Sequence, residues 1–206
     1  MTDEFSIDEV IADVKVGKPV IIVDDPARED EGDVFVAAAK ITEDRIAFIR
    51  MRATGKICVP MEAERLDKLG LDLMVPESYQ YERWCRFTIT VDSRNGRRDH
   101  GMSDYDRVFT IRKLIDEQLG PNYFVSPGHV EPLRAERGGV FVRQGHTEAA
   151  VDLARVARLY PAGVICEVIN PNGTMARGDN LGAFARKYDL KLISIEQIRK
   201  HVYRIS

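Results

Sequence analysis

Apolar and polar positions along this chain follow two different periods, one typical of helices and one of strands. The apolar positions of residues 7–14 recur at helical spacing behind a capping box at Ser6, and residues 19–23 form a short continuous apolar run. The first pattern is typical of an amphipathic helix and the second of a strand that is buried on both faces. Both patterns return several times further along the chain.

The remaining predicted elements rest on the same two patterns. Strands are predicted at residues 34–39, 56–60, 87–91, 139–142, 164–169 and 192–194. Helices are predicted at residues 42–51, 62–69, 149–159 and 181–188, from residue 103 to Gly120-Pro121, and after residue 194, with N-caps at Thr42, Ser103, Thr147 and Ser194. Residues 75–86 show no periodicity. Interleaved strands and helices without a repeat predict an α/β (α+β) fold, a three-layer sandwich with a mixed twisted sheet, in a single domain of residues 1–206.

Charge and composition exclude several classes of protein. The formal net charge is −3 and the basic residues cluster only at Arg97 and Arg98, so neither nucleic acid nor a membrane is expected as a partner. The N-terminus lacks the basic and apolar regions of a signal peptide, and no apolar run approaches the roughly 20 residues that span a bilayer. The three cysteines have neither disulfide-framework nor zinc spacing. We therefore expect a soluble, cytoplasmic protein with reduced thiols.

An acidic segment follows directly on the apolar run of residues 19–23 and reads Arg28-Glu29-Asp30-Glu31-Gly32-Asp33. Its carboxylates are close enough to repel one another and to raise one another's pKa values. A hard cation such as Mg²⁺, bound by one or two carboxylates with several waters retained, would relieve this repulsion. A solvated acidic turn is the alternative, but the position at a strand end favours a chemical role.

A second segment joins a predicted strand to a predicted helix and reads Arg143-Gln144-Gly145-His146-Thr147. Free backbone N–H groups, the positive end of a helix dipole and an arginine meet there, which is a combination that suits a phosphate. Arg143 would bind the phosphate through two hydrogen bonds, and the Thr147 hydroxyl could donate another. His146 would lie between phosphate and metal as a possible ligand, with a capping or surface role as the alternative.

Two further residues are candidate bases. Glu167 interrupts the apolar run of residues 164–169, where desolvation would raise its pKa and suit it to general base catalysis. The alternative is an acid paired with an arginine at the margin of the sheet. His129 follows Pro127 and Gly128, which predict a stiff turn that could orient the imidazole for proton transfer. Together, these groups indicate an enzyme that enolises and rearranges a phosphorylated sugar.

Over nearly its whole length the chain resembles the 3,4-dihydroxy-2-butanone 4-phosphate synthases of riboflavin biosynthesis. Besides the acidic segment, the resemblance rests on Val23-Asp24-Asp25, Ile57-Cys58, Leu69-Gly70-Leu71, Ser126-Pro127-Gly128-His129-Val130, Gly145-His146-Thr147-Glu148-Ala149 and Ile165-Cys166-Glu167, in this order. It implies that ribulose 5-phosphate, a phosphorylated pentulose, is converted to L-3,4-dihydroxy-2-butanone 4-phosphate and formate. It also implies a need for Mg²⁺ or Mn²⁺ and a homodimer with active sites near the interface. Some members carry a fused GTP cyclohydrolase domain, and a chain of 206 residues is expected to be the monofunctional form.

The resemblance also implies a role for each matching residue. Two residues correspond to metal ligands, Glu29 and His146. Four correspond to catalytic positions: Glu31, Asp33, His129 and Glu167. The set expected to bind the substrate overlaps with these and comprises Arg28, Asp33, His100, Arg143, Gln144, Gly145, His146, Thr147 and Glu167.

One segment departs from the family pattern. Where the family has a threonine pair before a glycine, this chain has Asp99 and His100 before Gly101. Two neutral hydroxyls are thereby replaced by a carboxylate and an imidazole, which changes charge and bulk in the substrate pocket. The first alternative is therefore a paralogue that acts on a different phosphorylated ketose, or performs a partial reaction, with the same metal and phosphate pocket. A non-catalytic nucleotide-binding or RNA-binding module is the second alternative, and it predicts a basic surface track.

Overall fold

Strands and helices interleave through the described part of the chain, residues 5–76 and 85–205 of a computed structural model. The strands are β1 (Val20–Val23), β2 (Gly32–Ala37), β3 (Val59–Met61), β4 (Val91–Ser93), β5 (Phe124–Val130), β6 (Pro132–Arg134), β7 (Gly163–Glu167) and β8 (Leu192–Ser194). The helices are α1 (Ile7–Lys15), α2 (Glu43–Phe48), α3 (Ala63–Leu69), α4 (Asp104–Leu114), α5 (His146–Val156), α6 (Gly178–Tyr188) and α7 (Ile195–Ile205). Among the described residues, no helix combines the length and the apolar character that crossing a membrane requires.

The central sheet has four strands in the order β7-β2-β1-β8. β2 is antiparallel to both of its neighbours, whereas β1 and β8 are parallel, so the sheet is mixed. Smaller pairs form between β3 and β6, which are parallel, and between β4 and β5, which are antiparallel. A bridge between Cys58 and Ile165 attaches the segment before β3 to the β7 edge.

Helices cover both faces of the central sheet, because successive side chains of its strands point to opposite sides. Val20, Ile22 and Phe35 belong to the apolar cluster that contains the buried residues of α1, α5 and α7. Ile21 and Val34 belong to the cluster that contains those of α2, α4 and α6. The predicted α/β fold with a mixed sheet is therefore confirmed.

Most of the predicted helix starts are confirmed by their caps. Ser6 forms a reciprocal capping box with Glu9, and the hydroxyls of Thr42 and Ser103 accept backbone N–H groups of the first turns of α2 and α4. Ser194 caps α7 in the same way. The exception is α5, which begins at His146 with Gly145 as its N-cap, so the prediction of Thr147 was wrong.

The strand predicted at residues 139–142 was also wrong, since Gly139–Phe141 is a turn of 3-10 helix. Gly138 and Gly139 have φ values of +95° and +59°, and this left-handed backbone cannot continue a strand. The turn is held by the buried carboxylate of Asp152, which accepts the N–H of Val140 at 2.9 Å.

Three other predictions differ from the structure in the type or the bounds of an element. Residues 126–130 belong to β5 and do not form a turn, and in the segment predicted at residues 87–91 the regular strand starts only at Val91. α4 ends at Leu114, well before Gly120. There the buried guanidinium of Arg65 donates a hydrogen bond from Nε to the Leu114 carbonyl. The segment of residues 75–86 falls largely outside the described residues.

Candidate active site

The site is built where β2 and β7 run beside the start of α5. Asp33 and Glu167 are directly opposite each other in the antiparallel register, so their side chains emerge on the same face. That face packs against α5, whose first residue is His146. The fold thereby places Asp33 and Glu167, which are far apart in sequence, beside His146.

The buried carboxyl of this group is Asp33, which is 4% exposed. Burial raises the pKa of Asp33 to about 7. The charge of His146 opposes this rise, whereas Glu167 adds to it, as do Glu31 and Glu29 of the loop between β1 and β2 (residues 24–31, the acidic loop). The sequence predicted that Glu167 lies inside a strand buried on both faces, and this placement was wrong. Glu167 is the half-buried last residue of β7, and its carboxylate accepts the backbone N–H of Lys56 at 2.7 Å.

A group of possible metal ligands lies next to Asp33. One ligand atom each of Asp24, Glu29 and His146 falls within 4.8 Å of the others. Nε2 of His146 and Oδ1 of Asp33 are buried and have no hydrogen-bond partner in the described structure. Burying such atoms unpaired is costly, whereas carboxylate and imidazole donors suit a divalent cation, so the residues fit a metal. Glu29 and His146 were singled out from the sequence; Asp24 was missed, and its position directly after β1 was the available signal.

The buried carboxylate of Asp24 also holds the backbone of the acidic loop through hydrogen bonds. Its two carboxylate oxygens accept the N–H groups of Glu29 at 3.2 Å and Glu31 at 2.8 Å. Nη1 of Arg28 lies 2.8 Å from Asp24 Oδ2 and 2.6 Å from Glu29 Oε2. The guanidinium of Arg28 therefore balances part of the negative charge of these two carboxylates, which are among the residues that would hold a divalent cation.

The start of α5 has the features expected of a phosphate site. Gly145 caps the helix without a side-chain hydrogen bond, so the first N–H groups point outward with the positive end of the dipole. Nη1 of Arg143 donates to Glu148 Oε2 at 2.6 Å, and a Cβ on Gly145 would lie only 2.3 Å from this nitrogen. The buried Thr147 hydroxyl is 3.9 Å from Cys85 Sγ. Glu148, which orients Arg143, was given no role from the sequence.

A cleft of about 520 Å³ lies between the acidic loop, this segment and the start of α7. Three of the expected substrate-binding residues line it: Arg28, Arg143 and Gln144. Ser194 and Glu196 form another part of its wall and were not singled out from the sequence as substrate-binding residues.

His129 belongs to a second cluster, formed by β4, β5 and the loop before α4. Its Nδ1 lies 2.8 Å from Oδ2 of Asp92, and its backbone N–H donates to the other oxygen of that buried carboxylate at 2.9 Å. Gly101, at φ +101°, covers the pair so closely that a Cβ would lie 2.1 Å from Asp92 Oδ2. The expected catalytic residues are therefore divided between two clusters.

The segment that departs from the family pattern lies in the loop over this second cluster. Asp99 and His100 are exposed, and His100 has a φ of +58°. A left-handed backbone is unfavourable for a β-branched residue such as threonine. Thr54 adopts a φ of +66° elsewhere in this chain, so the difference at this position is mainly one of charge and bulk of the side chain.

The fold and the two clusters define an α/β protein with a carboxylate and imidazole group beside a helix start that has no side-chain cap. A model of the 3,4-dihydroxy-2-butanone 4-phosphate synthase family matches residues 8–201, and the chain belongs to that family.

The relatives agree with this assignment. The chain is 49% identical over 193 residues to the riboflavin biosynthesis protein RibBA of Endomicrobium trichonymphae, covering 94% of this chain and 47% of the relative. It is 45% identical to the 3,4-dihydroxy-2-butanone 4-phosphate synthase of Neisseria meningitidis serogroup A, covering 93% and 52%. A crystal structure of a 3,4-dihydroxy-2-butanone 4-phosphate synthase in complex with two magnesium ions superposes with a TM-score of 0.91 and 37% identity over 97% of each chain. The chain spans about half the length of these curated relatives.

Proposed function

We propose that this chain converts D-ribulose 5-phosphate to L-3,4-dihydroxy-2-butanone 4-phosphate and formate in riboflavin biosynthesis. The observation that carries the proposal is the unpartnered, buried Nε2 of His146, which lies between an acidic loop and an anion-binding helix start. Membership of the family and relatives named for riboflavin biosynthesis support it.

The proposed activity needs Mg²⁺ or Mn²⁺. Glu29 and His146 would hold the ion, with Asp24 as a third candidate, because their donor atoms are close together and suit a hard or borderline cation. A bound divalent ion supplies Lewis acidity toward a carbonyl and an adjacent hydroxyl of the substrate.

The side chains of the site divide the remaining work. Arg143 and the first N–H groups of α5 hold the phosphate, while Arg28 and Gln144 line the cleft for the sugar. The reaction removes the C3 proton, expels the C1 hydroxyl as water and shifts the carbon skeleton. A water then adds to C4, which leaves as formate. Asp33, with its pKa raised by burial to about 7, can take up and return protons near neutral pH, and Glu31 and Glu167 supply further carboxylates.

We further propose that residues 1–206 form a single cytoplasmic domain that acts as a homodimer. His129 contacts Asp92 in the second cluster, and neither residue belongs to the group of possible metal ligands around His146. An active site near a subunit interface would bring the second cluster of one subunit to the metal group of the other. This arrangement accounts for the division of the expected catalytic residues within one chain.

The alternative is a paralogue that acts on another phosphorylated ketose or performs a partial reaction. The exposed carboxylate of Asp99 and imidazole of His100, in place of the threonine pair that the resemblance implies, are the observation that favours it.

One experiment tests the proposal and separates it from the alternative. The purified chain is incubated with ribulose 5-phosphate and Mg²⁺, and formate is measured with and without EDTA. We expect formate that EDTA abolishes and added Mg²⁺ restores. Absence of formate, with turnover of a different phosphorylated ketose, would reject the synthase activity in favour of the paralogue. Formate production by metal-free protein would reject the metal site.

A further inference from the structure

We propose that Arg177 is a positioning residue for the metal site, holding the acidic loop so that Glu29 keeps its place as a ligand. This inference rests on the proposed function of that site. Arg177 is 148 positions away from Glu29 in sequence and lies at the N-cap of α6.

One guanidinium contacts the loop at two points. Nε of Arg177 donates to the backbone carbonyl of Glu29 at 3.1 Å, and Nη2 donates to Oε1 of Glu31 at 3.0 Å. The planar fork of arginine can make two such bonds in a fixed relative orientation, which a lysine cannot do. Arg177 therefore fixes both the main chain at Glu29 and a side chain two residues later.

The backbone that carries Arg177 is itself anchored to the sheet. The N–H of Ala176 donates to the Val168 carbonyl at 2.9 Å, and the N–H of Val168 donates to the Gly32 carbonyl at 3.0 Å. Gly32 is the first residue of β2, directly after the acidic loop. The segment that carries Arg177 is thus hydrogen-bonded, through Val168, to the residue that follows the acidic loop.

Asp24 and Arg177 hold the loop from opposite directions. Asp24 is buried and accepts the N–H groups of Glu29 and Glu31, whereas the half-exposed Arg177 donates to the carbonyl of one and the carboxylate of the other. Between them the chain passes through Asp30, whose φ of +56° is unfavourable for a residue other than glycine. Such a conformation persists when the surrounding contacts enforce it.

The sign of the effect on metal affinity distinguishes positioning from charge. Removing a nearby positive charge makes the site more negative, so by Coulomb's law alone the loss of Arg177 would tighten the binding of a cation. Loss of a positioning contact weakens it, because the ligand no longer starts from the binding geometry. Residues that orient metal ligands typically change affinity about 10-fold to 100-fold when they are removed.

The test is a titration of the full chain with Mn²⁺, in which the free ion is followed by electron paramagnetic resonance. We expect Arg177→Ala to bind Mn²⁺ about 10-fold more weakly than the native protein. Arg177→Lys keeps the charge but only one contact, so its affinity should be intermediate. Arg186→Ala, which removes an exposed arginine from the same helix, is the matched control and should bind like the native protein.

The melting temperature is measured as well, because a ligand that binds the folded protein raises it, and at a given ligand concentration tighter binding raises it more. The rise caused by Mn²⁺ should be smaller in Arg177→Ala than in the native protein. A variant that only lowers the melting temperature of the metal-free protein, with unchanged Mn²⁺ affinity, would show a structural role and overturn the inference.

The outcomes separate the two proposals. If the native protein binds no Mn²⁺, the proposed metal site is rejected and this inference with it. If the native protein binds and Arg177→Ala binds equally well or more tightly, the inference alone is overturned. If Arg177→Ala fails to fold, Arg177→Lys decides the question, since native affinity in that variant would show that the two-point contact is not needed.

Discussion

Gly55 shows how a residue without a side chain can fix a candidate catalytic carboxylate. A Cβ built on it would lie 2.5 Å from Oε2 of Glu167 and 2.5 Å from the Glu167 carbonyl oxygen. The next residue, Lys56, donates its backbone N–H to the same carboxylate. The chain therefore closes on Glu167 at a distance that only glycine allows.

We predict that Gly55→Ala displaces Glu167 and lowers kcat for formate release about 10-fold or more, because small misplacements of a reacting group are costly. Gly120→Ala is the matched control, since Gly120 has a φ of −109° and no atom within 4 Å of a built Cβ. Equal turnover by both variants would show that Glu167 needs no such confinement.

Arg143 and Glu167 should differ in kinetic effect, because one is proposed to bind phosphate and the other to transfer protons. Arg143→Ala should raise KM strongly, as a hydrogen bond to a charged group contributes about 1.5 to 3 kcal/mol. Glu167→Gln should lower kcat with little change in KM. Steady-state kinetics with formate detection measure both, and the reverse pattern would mean that the two roles are exchanged.

At the scale of elements, the loop before α4 is organised by one buried carboxylate. Asp106 accepts the backbone N–H groups of Arg98, Asp99 and Gly101, at 2.7, 2.8 and 2.9 Å. Burial alone would raise the pKa of Asp106, but these three donors and the Ser103 hydroxyl outweigh it and lower the pKa below its ordinary 3.8. The loop over the second cluster thus depends on the ionised form of this acid.

The pH dependence of stability follows from the direction of this shift. A carboxyl whose pKa is lower in the folded state stabilises the fold fully above its unfolded pKa and loses this effect as the pH falls through the folded value. Asp106→Asn should therefore be less stable than the native protein by about 2 kcal/mol at neutral pH, and the difference should shrink below about pH 4. Urea unfolding at several pH values measures it, and a difference that stays constant down to pH 3 would contradict the argument.

At the scale of the whole molecule, the proposed homodimer, with each site shared between two subunits, predicts complementation between subunits. His129→Ala and Glu167→Gln should each be nearly inactive alone. If each site combines His129 of one subunit with Glu167 of the other, a heterodimer of the two variants contains one intact site, and an equal mixture should recover about a quarter of the native activity. Co-expressed variants with different affinity tags allow the heterodimer to be isolated, and an inactive heterodimer would place both residues in one subunit's site.

The sequence by itself determined the elements whose signals are local. The capping boxes at Ser6 and Ser194, the N-caps at Thr42 and Ser103, and the apolar runs of β1 and β7 all depend on neighbouring residues, and the structure confirms them. The interleaving of these helices and strands was sufficient to predict the α/β fold with a mixed sheet. The acidic segment and the segment of residues 143–147 could be singled out for the same reason, since each has its chemical groups in consecutive residues.

Only the tertiary structure decided which residues meet and how deeply each is buried. Asp33 and Glu167 are paired in the register of β2 on β7, yet Asp33 is almost fully buried whereas Glu167 ends its strand half-exposed. Arg177 and Asp24 reach the acidic loop through hydrogen bonds that no local pattern reveals. Burial and long-range pairing are properties of the packed chain, and for this reason the sequence identified the chemical groups of the site whereas the fold determined their environments.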